Sequence, residues 1–179
     1  DVPVDAFYYA FKMCDRKHAD YYITDVLSDA LGRDKSSRLY KRLKKEMELV
    51  TDISAYITGS IDQGLLIISG KLATGKTFEE LDVELWKILN DLVAEPIVED
   101  ELNRLMIKIR TSKEFEEQGL LNRAMNLSYF ELLGDANDIN EEGNRYDEIT
   151  PDQLKRVATD VLKKSKCSLL KVQSTQKSK

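Results

Sequence analysis

The sequence predicts one α+β domain, with an antiparallel or mixed sheet of about four strands covered on one face by helices. Two observations predict this class. Segments of alternating apolar and polar residues occur at the start of the 179-residue chain, as a pair in its middle and again near its end. Segments with apolar residues at helical spacing lie between them, in the order β-α-α-β-β-α-α-α-β. No internal repeat or linker divides the chain, so we expect residues 1–172 to form a single domain and residues 173–179 a polar tail or linker.

The first half of the chain predicts three strands and the helices that connect them. Residues 5–13 alternate and place four large apolar side chains on one side, which is typical of a half-buried strand. Helical spacing follows in residues 19–32 and continues, after a short break, to about residue 47. Alternation returns in residues 53–58 and 65–73, which a glycine-containing turn joins into a predicted hairpin.

The second half predicts further helices and a last strand. Apolar residues at helical spacing occupy residues 81–92, much of residues 99–133 and residues 154–162, whereas residues 135–147 are polar and predict an irregular connection. Residues 167–172 predict the final strand. The residues predicted to cap helix starts are Ser36, Ser37, Thr77 and Thr150. The residues predicted to end or break helices are Pro96, Gly119, Gly134 and Gly32, the last in the position after a final helical turn.

Composition excludes several functional classes. The chain has 27 basic and 32 acidic residues and a net charge of −5, whereas a nucleic-acid partner requires a basic face. Its longest apolar run is far too short to span a membrane. Cys14 and Cys167 lack a metal-binding spacing and are predicted to be buried free thiols. His18, the single histidine, is predicted to be a solvated surface residue. The chain begins without methionine, which indicates a processed N-terminus and leaves the compartment open.

One segment matches a nucleotide-binding signature. The pattern G-x-x-x-x-G-K-[ST], in which backbone N–H groups hold phosphates, would assign nucleotide binding to Gly70, Gly75, Lys76 and Thr77. Three features argue against it. Thr77 fits better as the cap of the following helix, and four acidic residues in the first turns of that helix would repel a triphosphate. No apolar strand ending in aspartate follows to hold Mg²⁺. A P-loop nucleotide-binding protein therefore stays an alternative to a strand that runs into a capped helix.

A pattern in residues 25–43 connects the chain to a known family. The segment Asp-Val-Leu-Ser-Asp-Ala-Leu-Gly-Arg-Asp-Lys-Ser-Ser-Arg-Leu-Tyr-Lys-Arg-Leu is similar to a helix with the pattern "vL..iLg" followed by "SSrLy..L". In this pattern the chain resembles the pitrilysin–insulinase family of zinc peptidases. The similarity continues, in one order and over nearly the whole chain, through residues 49–60, 64–81, 99–105, 129–134 and 149–161. The resemblance is therefore more specific than the nucleotide signature.

The resemblance implies an architecture of repeated α+β domains, paired into halves that close around a peptide. In this family one domain holds zinc through an H-x-x-E-H motif and a distal glutamate. Here His18 is followed by Ala-Asp-Tyr-Tyr, so the motif is missing. The resemblance thus predicts an inactive or wall domain with no catalytic or metal-binding residues of its own. Such a domain would help to enclose a peptide and pack against an H-x-x-E-H-bearing domain that supplies the zinc. A non-enzymatic assembly subunit of the same fold is the alternative.

The resemblance also points to two substrate-binding positions. In some non-catalytic repeats of the family, an arginine and a tyrosine seven residues later hold the substrate backbone. Alignment on Leu43 and Leu49 places Lys44 and Thr51 there. Lysine lacks the planar fork of arginine and threonine lacks a phenol. Either substrate holding is altered or this repeat is purely structural, and of the two we expect the structural role. The expected docking surface for a partner domain is a face rich in Tyr8, Tyr9, Tyr21 and Tyr22.

Overall fold

The sheet is the frame on which the helices are arranged. The computed structural model describes residues 4–95 and 97–175. Its strands are β1 (Ala6–Lys12), β2 (Val50–Ile57), β3 (Leu65–Leu72) and β4 (Cys167–Val172). All three strand pairings are antiparallel, and the strand order across the sheet is β2-β3-β1-β4. The predicted α+β class is confirmed, and of the two predicted sheet types the antiparallel one is observed.

Helices occupy most of the remaining described chain. The α-helices are α1 (Asp20–Gly32), α2 (Phe78–Ala94), α3 (Glu99–Glu117), α4 (Leu120–Leu133), α5 (Glu142–Asp147) and α6 (Pro151–Val161). A π-helical segment and two 3-10 turns complete the set, at Tyr40–Glu46, Ala136–Asn140 and Lys164–Lys166. The predicted order of strands is therefore observed. The second predicted helix is the π-helical segment, the helical tract predicted over residues 99–133 divides at Gly119 into α3 and α4, and α5 is additional.

The core lies between the sheet and the helices on one of its faces. Alternation along β1 directs Phe7 and Phe11 to this side, where both are fully buried. Leu27 and Leu31 of α1 recur at helical spacing and are equally buried, because α1 packs on β2 and against α6. Tyr8 points to the opposite face of the sheet and is exposed.

Local capping signals were sufficient to locate several helix ends. Thr77 and Thr150 form the predicted capping boxes with the residues three positions later. Gly119 precedes α4 and Gly134 ends it with a φ of 144°, a conformation that favours glycine. The predicted helix end at Pro96 and residues 176–179 of the predicted tail lie outside the described residues.

Gly32 has a different role from the one predicted. It is the last residue of α1, and the residue after it is right-handed helical, so the prediction of a glycine C-cap is wrong. A Cβ on Gly32 would lie 2.4 Å from the backbone nitrogen of Ala55 in β2. The glycine is required because the helix end touches the sheet backbone.

Two further predictions need correction. Ser37 precedes the first helical residue, but its hydroxyl donates to the carbonyl of Asp34 and caps no helix N–H. The backbone N–H of Ser36 donates to the carboxylate of Asp34, so the aspartate organises this turn and Ser36 is not a cap. Residues 135–147, predicted to be irregular, contain a 3-10 turn and α5, because Tyr146 buries its ring against the core.

Candidate functional site

The two predicted substrate-binding residues flank a tight connection into the edge strand β2. Lys44 lies in the π-helix, and its ammonium nitrogen is 5.1 Å from the centre of the Tyr40 ring. Thr51 lies at a bulge at the start of β2, where its hydroxyl is 3.5 Å from the carbonyl oxygen of Lys71. Both side chains retain solvent access. The pair could donate hydrogen bonds to a peptide carbonyl, but it offers neither the planar fork nor the phenol of the family pattern.

The connection itself is held from both ends. Leu43 is fully buried, and its carbonyl accepts from the backbone N–H of Leu49 at 2.8 Å. Between them Glu48 has a φ of 50°, in the left-handed region that costs an L-residue about 1–2 kcal/mol. The backbone thus turns sharply from the π-helix into β2, and this turn sets the positions of Lys44 and Thr51.

The face of the sheet opposite the helices, here named the open sheet face, combines apolar and polar side chains. The strand register brings Tyr56, Ile67 and Ala10 into one row. Ser54, Ser69, Tyr8 and Leu170 form the next row, in which the two serine hydroxyls are 3.1 Å apart. Tyr8, Tyr56 and Leu170 are exposed. An antiparallel sheet can leave such a face to water or to a partner.

Three of the four tyrosines predicted as a docking surface are buried. Tyr9 lies on the helix side of β1 and donates its hydroxyl to Asp82 at 3.0 Å. Tyr21 and Tyr22 pack edge to face at the start of α1. The predicted tyrosine surface is therefore wrong, and Tyr8 alone of the four belongs to an exposed face.

In the segment with the nucleotide-type signature, groups of the protein itself take the positions where phosphates would bind. A Cβ on Gly70 would lie 2.4 Å from the carbonyl oxygen of Asp52, so this glycine serves sheet packing. Gly75 turns the chain with a φ of 80°. Thr77 donates its N–H to the carboxylate of Glu80 at 2.9 Å, and this bond lowers the pKa of that carboxyl. The helix start that would receive a phosphate already holds a carboxylate, and Lys76 lies in the turn before it.

A buried cluster around Arg16 escaped the sequence analysis. The guanidinium carbon lies 4.3 Å from the ring centre of Tyr21 and 4.9 Å from that of Tyr22, and Arg16 is only 6% exposed. One nitrogen donates to Glu142 of α5 at 2.9 Å, and the Phe130 ring of α4 lies 5.6 Å away. Arginine in a loop between a strand and a helix gives no sequence signal of burial. Only its partners, far along the chain, create the site.

Two acidic residues of α1, Asp25 and Asp29, are largely removed from water near Arg33. Asp25 accepts a hydrogen bond from the Tyr146 hydroxyl at 2.6 Å, and burial raises the pKa of Asp25. Burial, followed by the neighbouring charge of Asp25, raises the pKa of Asp29 to about 6. Arg33 partly offsets this by donating to Asp29 at 2.7 Å. The arrangement stabilises protonated carboxyl groups and is a source of pH dependence.

The residues that the structure describes do not fit a zinc site. In residues 4–95 and 97–175 no group of three or more His, Cys, Asp or Glu side chains is placed to hold a metal ion. His18 is half-exposed in its side chain and accepts from the Asp20 N–H, as expected for a surface residue. Over the same ranges no helix has the length and apolar character needed to cross a membrane.

The two cysteines line one cavity of about 680 Å³ but are not bridged. Both are half-buried, so the prediction that they are buried was only partly correct, and burial raises the pKa of Cys167 to about 11. Cys167 pairs with Phe11 in the sheet, whereas Cys14 lies beyond the end of β1, and both are free thiols.

Together the fold and the site define a class: a single antiparallel sheet under helices, with no metal-binding cluster in the described residues. Residues 1–109 match the family model described as the peptidase M16 inactive domain. The chain belongs to this family, and the resemblance to the pitrilysin–insulinase peptidases is confirmed. A comparison with curated proteins gave no match.

Solved structures share the fold over the length of the chain. A protease from Helicobacter pylori aligns with a TM-score of 0.90 at 19% identity, covering 97% of this chain and 42% of that one. The inactive peptidase domain of a proposed zinc protease from Bordetella parapertussis aligns at 0.89 and 20% identity, covering 100% and 95%. A peptidase M16 inactive domain from Pseudomonas fluorescens aligns at 0.76 and 15%, covering 99% and 43%. At these identities the likeness concerns the fold, and this chain spans less than half of two of the three relatives.

Proposed function

We propose that this domain is a non-catalytic wall of a zinc peptidase. It packs against an H-x-x-E-H-bearing domain that holds the zinc, and with it encloses a peptide. The observation that carries the proposal is membership of the peptidase M16 inactive domain family in a chain whose single histidine, His18, lies at the surface. Zinc ligation by the family motif requires two histidines, so the chemistry must reside in another domain.

The open sheet face supports a role in enclosing a peptide. Its rows place tyrosine and leucine side chains beside serine hydroxyls, as in Tyr8 with Ser69. Apolar groups can cover the side chains of a peptide, and hydroxyls can exchange hydrogen bonds with its backbone.

Lys44 and Thr51 have a structural role in this proposal. Lys44 lies over the Tyr40 ring and Thr51 contacts the Lys71 carbonyl, so both already have partners within the domain. Lys44→Ala and Thr51→Ala in the peptidase should leave KM and kcat within about twofold, a change of less than 0.5 kcal/mol. A tenfold rise in KM with either variant would assign the pair to peptide holding.

The proposal is tested by comparing the 179-residue chain with the complete gene product. The chain alone should contain no stoichiometric zinc by elemental analysis and should cleave no peptide, whereas the gene product, or this chain with its H-x-x-E-H partner, should show chelator-sensitive cleavage. Zinc-dependent activity of the isolated chain contradicts the proposal. A gene product and neighbouring genes without an H-x-x-E-H motif would assign the domain to an assembly subunit.

A further inference from the structure

The outer side of α4 carries an apolar stripe that the described chain leaves uncovered. Leu121, Met125 and Leu132 are 72%, 62% and 69% exposed. At 100° per residue they fall within an arc of about 40°, along roughly 16 Å of helix, and Ser128 lies about 20° outside this arc. Single exposed leucines are normal on protein surfaces, but several apolar side chains aligned on one helix face indicate an interaction site.

The inner side of α4 fixes the direction in which the stripe faces. Phe130 is buried on the opposite side of the helix, next to the Arg16 guanidinium. Tyr129 donates its hydroxyl to the carbonyl of Gly59, in the turn between β2 and β3, at 3.0 Å. These contacts orient the helix, so the stripe cannot turn inward to bury itself without breaking them.

We infer that the stripe of Leu121, Met125 and Leu132 is the surface on which the H-x-x-E-H-bearing domain packs. That domain is joined to this one in the same polypeptide. The inference rests on the proposed function. It deepens that proposal by assigning the packing contact to α4, whereas the open sheet face is left to the peptide.

Two observations select this occupant. The chain spans 42%, 43% and 41% of three chains that share its fold, from Helicobacter pylori, Pseudomonas fluorescens and Enterococcus faecalis, so each of those chains has more than half its length available for further domains. The stripe is also small. A stable dimer of separate chains buries about 800 Å² on each partner, more than three side chains supply. A domain in the same chain needs less area, because the tether raises its effective concentration.

The apolar character of the stripe favours a permanent contact over a transient one. Permanent interfaces are the more apolar class, since they are never returned to water after assembly. A peptide substrate would leave Leu121 and Met125 exposed after each turnover. A covalently joined domain would keep them covered at all times.

The test is cysteine labelling in the complete gene product and in the 179-residue chain. Met125→Cys should react with a maleimide at least tenfold more slowly in the gene product than in the isolated chain. The matched control is Arg123→Cys, which is exposed on the same helix but off the stripe and should react at similar rates in both. Peptide mapping separates these labels from Cys14 and Cys167.

Two outcomes would overturn the inference. Equal labelling of Met125→Cys in both proteins shows that the stripe is uncovered, and if chelator-sensitive peptidase activity persists, the proposed function survives without it. Protection that grows with concentration in the isolated chain assigns the stripe to a second copy. The double variant Leu121→Gln/Met125→Gln is an independent measurement. It should lower the unfolding temperature of the gene product and leave that of the isolated chain unchanged.

Discussion

The sheet with α1 and the helical arm, here the segment α3 to α5, are held by different kinds of interaction. The contacts between the sheet and α1 are apolar, and Phe7, Phe11 and Leu27 are fully buried. The arm contributes Leu102, Ile109 and Tyr146 to the same core. It adds ion pairs to these contacts, as in the pair of Arg38 with Glu101 at 2.8 Å. Its long helices expose many apolar residues, among them Ile107, Phe115, Leu120 and Leu121. The difference teaches that apolar packing suffices on the sheet side, whereas the arm adds ion pairs and leaves apolar side chains exposed, which we propose a partner domain covers.

The largest expected effect tests the apolar packing of α1 on the sheet. Gly32→Ala places a Cβ within 2.4 Å of the Ala55 backbone nitrogen, and since backbone cannot yield as a side chain can, we expect a loss of about 3 kcal/mol in the free energy of unfolding. The matched control is Gly143→Ala in α5, where a Cβ meets nothing within 4 Å. The control should be neutral or stabilise by up to about 1 kcal/mol. Urea unfolding measures both, and equal effects would contradict the close approach of α1 to the sheet.

The second-largest effect tests the cluster around Arg16. Arg16→Ala leaves Glu142 with Lys113 as its remaining ion-pair partner and removes the stacking on Tyr21 and Tyr22, so we expect a loss of about 2 kcal/mol in the free energy of unfolding. Lys17→Ala, an exposed neighbour, should change stability by less than about 0.5 kcal/mol.

The elements that each variant destabilises distinguish the two regions. Hydrogen exchange should show that Arg16→Ala opens α4 and α5 first, whereas Gly32→Ala accelerates exchange in the strands as well. Uniform acceleration by Arg16→Ala would mean that the arm and the sheet unfold as one unit, and the comparison between the regions would fail.

The third prediction concerns pH. Because the folded pKa of Asp29, about 6, lies above its ordinary value, the native state binds this proton more tightly than the unfolded chain. The contribution of Asp29 to stability therefore falls as the pH rises from about 4 to about 6. Asp29→Asn removes this penalty and should gain about 1–2 kcal/mol on the wild type over that range, after a discount for the lost contact with Arg33.

Asp20, on the same helix, gives the opposite sign. Its hydrogen bond with Arg156 lowers its pKa, so its contribution is present at neutral pH and is lost as the pH falls. Asp20→Asn should therefore be less stable than the wild type at pH 7. Its free energy of unfolding should approach that of the wild type in acid. Parallel pH profiles of the Asp29 and Asp20 variants in chemical denaturation would rule out the buried environment assigned to Asp29.

A smaller effect tests for strain at the entry to β2. Glu48→Gly removes the cost of a φ of 50° and should stabilise the chain by about 0.5–1 kcal/mol. Glu48→Ala keeps a Cβ in the same conformation and should not stabilise. If both variants change the unfolding temperature equally, the effect comes from loss of the Glu48 side chain and not from relief of backbone strain.

No effect is expected at the nucleotide-type signature. Calorimetric titration with Mg-ATP should give no saturable heat for the wild type or for Lys76→Ala, because the carboxylate of Glu80 occupies the helix start. Saturable binding by the wild type that is lost in the variant would establish the P-loop alternative.

Much of the fold could be predicted because the signals are local. Alternation located the strands and helical spacing the long helices, and both capping boxes, at Thr77 and Thr150, lie where the T-x-x-E and T-P-x-Q patterns placed them. The site was less accessible. Lys44 and Thr51 came from the family resemblance, and their role stays a prediction. The predicted docking surface was wrong for Tyr9, Tyr21 and Tyr22. The spacing of apolar residues does not tell which face of a helix or strand is covered by another element.

The sequence by itself determined the class of the fold, the starts of α2 and α6 and the absence of an H-x-x-E-H motif, since each depends on residues within a few positions of one another. The tertiary structure alone decided why Gly32 must be glycine, how Arg16 is buried and which side of α4 stays exposed. Arg16 and Glu142 are 126 positions apart, so no local pattern can encode their contact. The physical reason is that spacing records direction along one element, whereas burial and pairing arise only when distant elements meet.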